Sequence, residues 1–282
     1  MNNQLRTSIR CAYTISVCLG LSALISLSQL SMAAELSALE VMTNVDARYD
    51  GDSAIGSYTM VLINRRQQQR SRDLKIYSKD FGRDAKTLSV FESPADIRGT
   101  TYLNFDWDDS SLDNDSWLYL PSLQRVKRIA SSDTSDSFLG SDFTYADING
   151  LELDWYDYSF ISDSEVIDGH DCWLIEIIPK AEFKEKAEQA TGYSKTHSWI
   201  RKDNLLQVQG QVWLLKGNRI KYFTASQIEQ IQDIWTIKRL QVVTTRNGKQ
   251  EHASVLQINE IQYNISIDDQ MFTTQAMQRS LD

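Results

Sequence analysis

The chain has 282 residues, with 29 Lys or Arg against 38 Asp or Glu and a formal charge of −9. An acidic balance of that size repels a phosphate backbone and argues against a nucleic-acid partner. Only three Pro occur, and no Pro/Gly/Ser-rich linker, repeat or low-complexity tract divides the chain, so one domain with long uninterrupted strands is expected.

The amino end reads as an export signal. Arg6 and Arg10 form a positive region, Cys11 to Leu30 an apolar, Ser-rich stretch, and Ser31 to Ala34 a small-residue exit that suits cleavage after Ala33 or Ala34. The serines and that exit favour cleavage over an uncleaved amino-terminal anchor. Arg10 and Val17, preceding Cys11 and Cys18, speak against lipid attachment. The expected product is a monomeric periplasmic domain over residues 35–282 after a signal peptide over 1–34. Cys172 is then its sole thiol, with no internal disulfide.

Beyond the leader, Leu36, Leu39, Met42 and Val45 fall at helical spacing between Glu35 and Arg48, with Gly51 and Gly56 as stop signals. Strand-like segments follow, with turn signals between them. They are 58–63, 73–78, 86–91, 100–107, 117–120 and 125–129, then 156–161, 172–179, 193–201, 206–215, 219–227, 234–245 and 250–263. Helix has room only at the amino end, around Phe143 to Asn149, and in the charged run Ala181 to Ala190. Consecutive strands without intervening helices predict a mainly β, antiparallel meander. In 206–215, Gln207, Gln209 and Gln211 share one face while Leu206, Val208, Val212 and Leu214 share the other, the mark of a half-buried strand.

Little supports catalysis or metal binding. His170, His197 and His252 are scattered, and no nucleophile elbow, phosphate loop or zinc-protease helix occurs. On a strand His170 and Cys172 share a face but Asp171 does not, so a metal site there loses to a packed strand thiol. The run Asp106, Asp108, Asp109, Asp113 and Asp115 lacks the alternation and central Gly of a calcium loop and reads as a solvated turn. No cofactor is expected. Seven Trp lie after the leader, and flat rings on strands suit either ordinary packing or a greasy pocket.

The segment from Trp117 to Asn149 is the most distinctive. Trp117 to Leu120 is an aromatic strand, Pro121-Ser122 a turn, and Gln124 to Ile129 a basic strand. A Ser/Asp loop then leads to Phe138, Leu139 and the run GSDFTYADIN. In wording and order, WLYLPSLQRVKRI followed by GSDFTYADI resembles a block of the LolA-like outer-membrane lipoprotein-sorting proteins. Weaker echoes follow in WIRKDNLLQV, IKYFTASQIEQI and IDDQMFT.

That resemblance implies a single, strongly curved, half-open β-barrel closed by a few helices. Its implied task is non-enzymatic: holding a lipid or the acyl chains of a lipoprotein, and working with an inner-membrane transporter of the resistance-nodulation-division type. The resemblance assigns no lining residue; from the pattern of aromatic and apolar side chains alone, Trp117, Tyr119, Phe138, Leu139, Phe143, Tyr145 and Trp213 are the expected groove residues. Phe138 and Leu139 form a latch over Trp117 and Tyr119, while Arg125, Lys127 and Arg128 dock a headgroup or partner. The acidic run and the charged 181–190 segment depart from the family pattern and leave the partner open. The competing readings are a structural accessory subunit of such a transport complex, packed solid and without cargo, and a hydrolase with a diffuse site. Amino-terminal sequencing of the exported protein is expected to return Ala34 or Glu35, and recovery of Met1 in a membrane fraction would refute the leader assignment.

Overall fold

The computed structural model describes residues 36–279, so the expected leader and its cleavage site lie outside the described residues. Thirteen strands form one antiparallel sheet: β1 (Ser53–Ile63), β2 (Gln69–Phe81), β3 (Asp84–Ser93), β4 (Thr101–Asp106), β5 (Asp115–Leu120), β6 (Arg125–Ile129), β7 (Tyr156–Ile167), β8 (His170–Pro179), β9 (Tyr193–Arg201), β10 (Gln207–Leu214), β11 (Arg219–Ile231), β12 (Ile234–Arg246) and β13 (Lys249–Tyr263). Their spatial order is β6-β5-β4-β3-β2-β1-β13-β12-β11-β10-β9-β8-β7. Two meanders are thus joined at the centre by the first and last strands. The sheet is not closed into a barrel, because β6 and β7 remain unpaired edges.

Every neighbour runs antiparallel, so the turns alternate between two ends of the sheet. The β1–β2, β3–β4, β5–β6, β8–β9, β10–β11 and β12–β13 connections project from one end, and the β2–β3, β4–β5, β7–β8, β9–β10 and β11–β12 turns from the other.

Residues 130–155 carry the chain from one edge to the other. They contain the short helix α2 (Tyr145–Asn149) and drive Phe138, Phe143 and Tyr145 into a cluster with Met60, Leu74, Phe91, Tyr102, Leu118, Ile129 and Val242. Strands from both meanders touch this one segment, so the sheet wraps around it. Helix α1 (Ala38–Asp46) begins in a capping box between Ser37 and Glu40, which satisfies two free N–H groups reciprocally. With helix α3 (Lys184–Thr191), α1 contributes to a second cluster with Trp155, Tyr156, Ile175, Ile177 and Ile200. On the reverse face, the carboxyl-terminal residues Ile267, Phe272 and Met277 cover Tyr77, Leu88 and Leu103.

Local departures from the sequence pattern have physical reasons. The helix starts after Ser37 and turns Ala38, Val41 and Met42 inward, which leaves Leu36 and Leu39 exposed. Gly56 lies inside β1 rather than at a helix stop: a Cβ there would meet the Tyr58 ring at 2.6 Å, so the strand needs a residue without one.

Phe138 packs edge-on to Tyr102 and Tyr145, at centroid separations of 5.3 and 5.4 Å, and is 2% exposed. It anchors the crossover. Phe138→Ala should lower stability by about 3–5 kcal/mol, the usual cost of deleting a buried ring. Urea denaturation measures this, and a loss under about 1 kcal/mol would mark Phe138 as a movable latch instead.

Candidate functional site

Between the wrapped sheet, α1 and the crossover lies a cavity of about 500 Å³. Its walls come from the inward positions of β8 to β12, including Ile177, Val208, Val212, Phe223, Ala225 and Leu240. Met42 and Val45 of α1 and Ala146, Leu151 and Leu153 of the crossover cover it. Along β10, Val208 and Val212 face inward by strand alternation, and a register shift between Gln207 and Gln209 brings both of these residues into the lining as well.

One end of this cavity is polar. Asp147 of α2 shares a buried site with Tyr193 of β9 and Lys221 of β11. The Tyr193 hydroxyl donates to Asp147 Oδ1 at 2.8 Å, and Lys221 Nζ donates to Tyr193 Oη at 2.7 Å and lies 3.2 Å from Asp147 Oδ2. Burial and the Asp147 charge push the Tyr193 phenol well above its ordinary value, so it stays protonated and serves as a donor. Asp147 also closes a capping box with Thr144, whose N–H it accepts at 2.8 Å.

A smaller pocket of about 230 Å³ adjoins this polar end, sharing Thr191 and Tyr193 with the larger one. Asp142 is buried in its wall. Ser254 Oγ donates to Asp142 Oδ2 at 2.8 Å, the Thr244 hydroxyl donates to Oδ1, and His252 Nδ1 contacts the same oxygen. The carboxylate raises the pKa of His252, an effect that burial of the ring partly opposes. Ser, His and Asp are all present, but the carboxylate sits between the hydroxyl and the imidazole. Nucleophile activation needs the imidazole in the middle. His197 is engaged elsewhere, 3.0 Å from Glu176 with its ring against Trp213. Cys172 is fully buried, and burial raises its thiol pKa.

None of the seven expected groove residues lines the larger cavity. Phe138, Phe143 and Tyr145 are packed into the core beneath the crossover, with Leu139 partly buried beside them, and Phe143 alone reaches the smaller pocket. Trp117 and Tyr119 lie on the reverse face with Phe105 and the carboxyl-terminal segment, so Phe138 cannot close over them. Trp213 sits among Lys195 and His197, on the side of β10 shared with Gln209 and Gln211. The basic strand is divided in the same way. Arg128 pairs with Trp117 and forms an ion pair with Asp115, whereas Lys127 and Arg125 stand opposite Leu118 and Leu120 on the other face.

The residues that pattern reading missed are Asp142, Asp147, Tyr193 and Lys221. A signal was available in GSDFTYADIN, where Ser, Asp and Thr interrupt a strongly aromatic run. Polar side chains at such positions are either exposed or paired inside.

A family model described only as an uncharacterized protein matches residues 83–279. The crystal structure of a DUF1329 family protein from Desulfovibrio piger is 30% identical, covers 85% of this chain and 97% of that one, and superposes with a TM-score of 0.76. The chain belongs to the DUF1329 family. A candidate outer membrane lipoprotein-sorting protein domain from Vibrio parahaemolyticus is 26% identical over 86% of this chain and 98% of that one, with a TM-score of 0.75. A LolA superfamily protein from Nitrosomonas europaea shares the fold, with a TM-score of 0.63, 17% identity and coverage of 86% and 99%. The resemblance to LolA-like proteins read from Trp117 to Asn149 therefore extends through the fold of this DUF1329 chain. No curated protein matches significantly. Among the described residues, no helix is long and apolar enough to cross a membrane.

The acidic turn between β4 and β5 is tied down rather than loose. Asn114 Nδ2 donates to Asp106 at 2.6 Å and to Glu152 at 3.2 Å, and Lys186 lies 3.0 Å from Asp113. Burial, with the nearby Asp106 charge, pushes Glu152 up to about 7. A carboxyl raised in the folded state stabilises fully below its unfolded value near 4.5, and that contribution is lost as pH rises through about 7. Glu152→Gln should therefore gain in melting temperature over the parent as pH rises from about 5 to about 8. A pH-independent difference in thermal melts would refute the assignment.

Proposed function

We propose that this DUF1329 protein is a periplasmic carrier that holds an acyl chain of a lipid or lipidated protein in the cavity under the crossover. It then hands this cargo to a second membrane or to a transporter of the resistance-nodulation-division type. The observation that carries the reading is the cavity itself: about 500 Å³, walled by Val, Leu, Ile and Phe, and polar at one end. Its size and lining are those of a small-molecule site. The similarity to the Vibrio parahaemolyticus candidate lipoprotein-sorting domain supports the same class of cargo.

The energetics suit the task. A dozen methylenes exposed to water cost on the order of 10 kcal/mol, enough to hold an amphiphile firmly once they are buried. Release then needs a change in the wall rather than in the sheet. The crossover supplies that wall on one side, held by its buried aromatic side chains and by polar contacts at Asp142 and Asp147 rather than by a ladder of backbone hydrogen bonds.

Native mass spectrometry of protein taken from its own envelope is expected to show bound lipid, and a fluorescent fatty acid should bind the delipidated chain. Ala225→Trp, which places a ring in the cavity, should weaken the probe ten-fold or more, or about 1.4 kcal/mol. A parent protein that carries no lipid and takes up no acyl probe would sink the carrier reading and favour a solid accessory subunit.

A further inference from the structure

The two ends of the sheet carry opposite charge. At the end bearing the β1–β2, β3–β4, β5–β6, β10–β11 and β12–β13 turns, residues 64–70, 94–100, 121–125, 215–219 and 246–249 hold nine Lys or Arg and one Asp. At the other end, residues 80–84, 106–115, 168–171, 202–206 and 232–234 hold eleven Asp and two Lys or Arg. The α3 connection, at the same end, is balanced, and its Glu185 and Glu188 share a groove with Asp136, Leu215, Lys216 and Arg219. The turns at this end thus carry an excess of cations on a chain that is acidic overall.

These cations are available. Glu251 engages Arg65, Arg219 and Arg246, at 3.8, 2.7 and 3.5 Å. Arg66, Arg70, Arg125, Lys216 and Lys249 are exposed, and among the described residues none has a carboxylate oxygen within 4.0 Å. Two apolar side chains stand out from the same turns. Leu123 is 67% exposed beside Arg125, and Leu215 is 45% exposed beside Lys216. The smaller pocket, lined by Leu214, Arg219 and Lys221, lies at this end.

We infer that this basic end docks on the surface of an anionic lipid bilayer, with Leu123 and Leu215 entering the headgroup region. Cations that can spread over many phosphates, with exposed Leu on turn tips among them, fit a lipid surface better than the fixed carboxylate pattern of a protein. Docking in this orientation turns the polar vestibule of the cavity toward the membrane. The inference does not require the cavity to be loaded, so its test is separate from acyl binding.

Vesicle flotation with residues 35–282, which carry every described helix and strand, avoids interference from the apolar leader. Binding is expected to vesicles containing phosphatidylglycerol, to weaken with salt, and to be absent from phosphatidylcholine alone. Arg66→Glu, Arg125→Glu and Lys216→Glu together should reduce partitioning at least ten-fold. Leu123→Ser with Leu215→Ser should remove the binding that survives moderate salt. Asp108→Lys with Asp109→Lys, at the acidic end, makes the chain less negative and should leave partitioning unchanged. All these side chains lie at the surface, and matching thermal melts establish that each variant folds. Failure of the parent to float, equal binding to neutral vesicles, an unaffected triple variant, or stronger binding by the acidic-end variant would each overturn the inference.

Discussion

Asp142 is the group on which the arrangement depends. A carboxylate taken out of water costs several kcal/mol unless donors replace its hydration, and here they come from two adjacent strands, Thr244 of β12 with His252 and Ser254 of β13. Its own N–H also donates to Ser254 Oγ, at 2.9 Å. The crossover is thereby fixed over the centre of the sheet, next to the seam between the chain's first and last strands. Phe138 and Phe143, on either side of Asp142, are driven into the core by the same placement. Removing a single partner would leave a buried charge short of a donor, which costs more than the interaction adds when complete.

From this anchor the rest of the interior follows. The crossover divides the concave space into a filled half, under the aromatic cluster of β1 to β6, and a hollow half, under β8 to β12. Aromatic side chains fill the first half, whereas Thr196, Ser198 and Ala225 leave the second roomy. The difference lies in side-chain volume rather than in topology.

The sequence made the strands legible, and the thirteen segments read from alternation and turn residues each lie on an observed strand. The segment around Phe143 to Asn149 and the charged run Ala181 to Ala190, the two places beyond the amino end with room for helix, each contain one. Alternation tells which residues share a face but not which face is concave, and that gap accounts for the misplaced groove residues. Trp117 and Tyr119 have the right character for a pocket, yet their parity puts them under the carboxyl-terminal segment. Trp213 could have been placed, since it shares parity with Gln209 and Gln211. Polar neighbours make Phe138 look like a latch, but Ser137 and Ser141 are occupied with local backbone bonds and leave the ring free to pack inward. Asp142 was invisible as an anchor because its three side-chain partners are over a hundred residues away.

The pairing of β1 with β13 has a consequence for how the molecule comes into being. Each meander consists of near-neighbour hairpins that can form as soon as their residues are present. The central seam joins Ala54 to Tyr263, and it cannot form until the final strand has emerged. Until then two half-sheets each present a long unsatisfied inner edge in addition to the outer edge they keep. Such edges pair readily with another chain. A polypeptide of this topology benefits from being held unfolded until complete, as a chain threaded through a membrane is, and its last strand determines whether the two halves find each other or a neighbour.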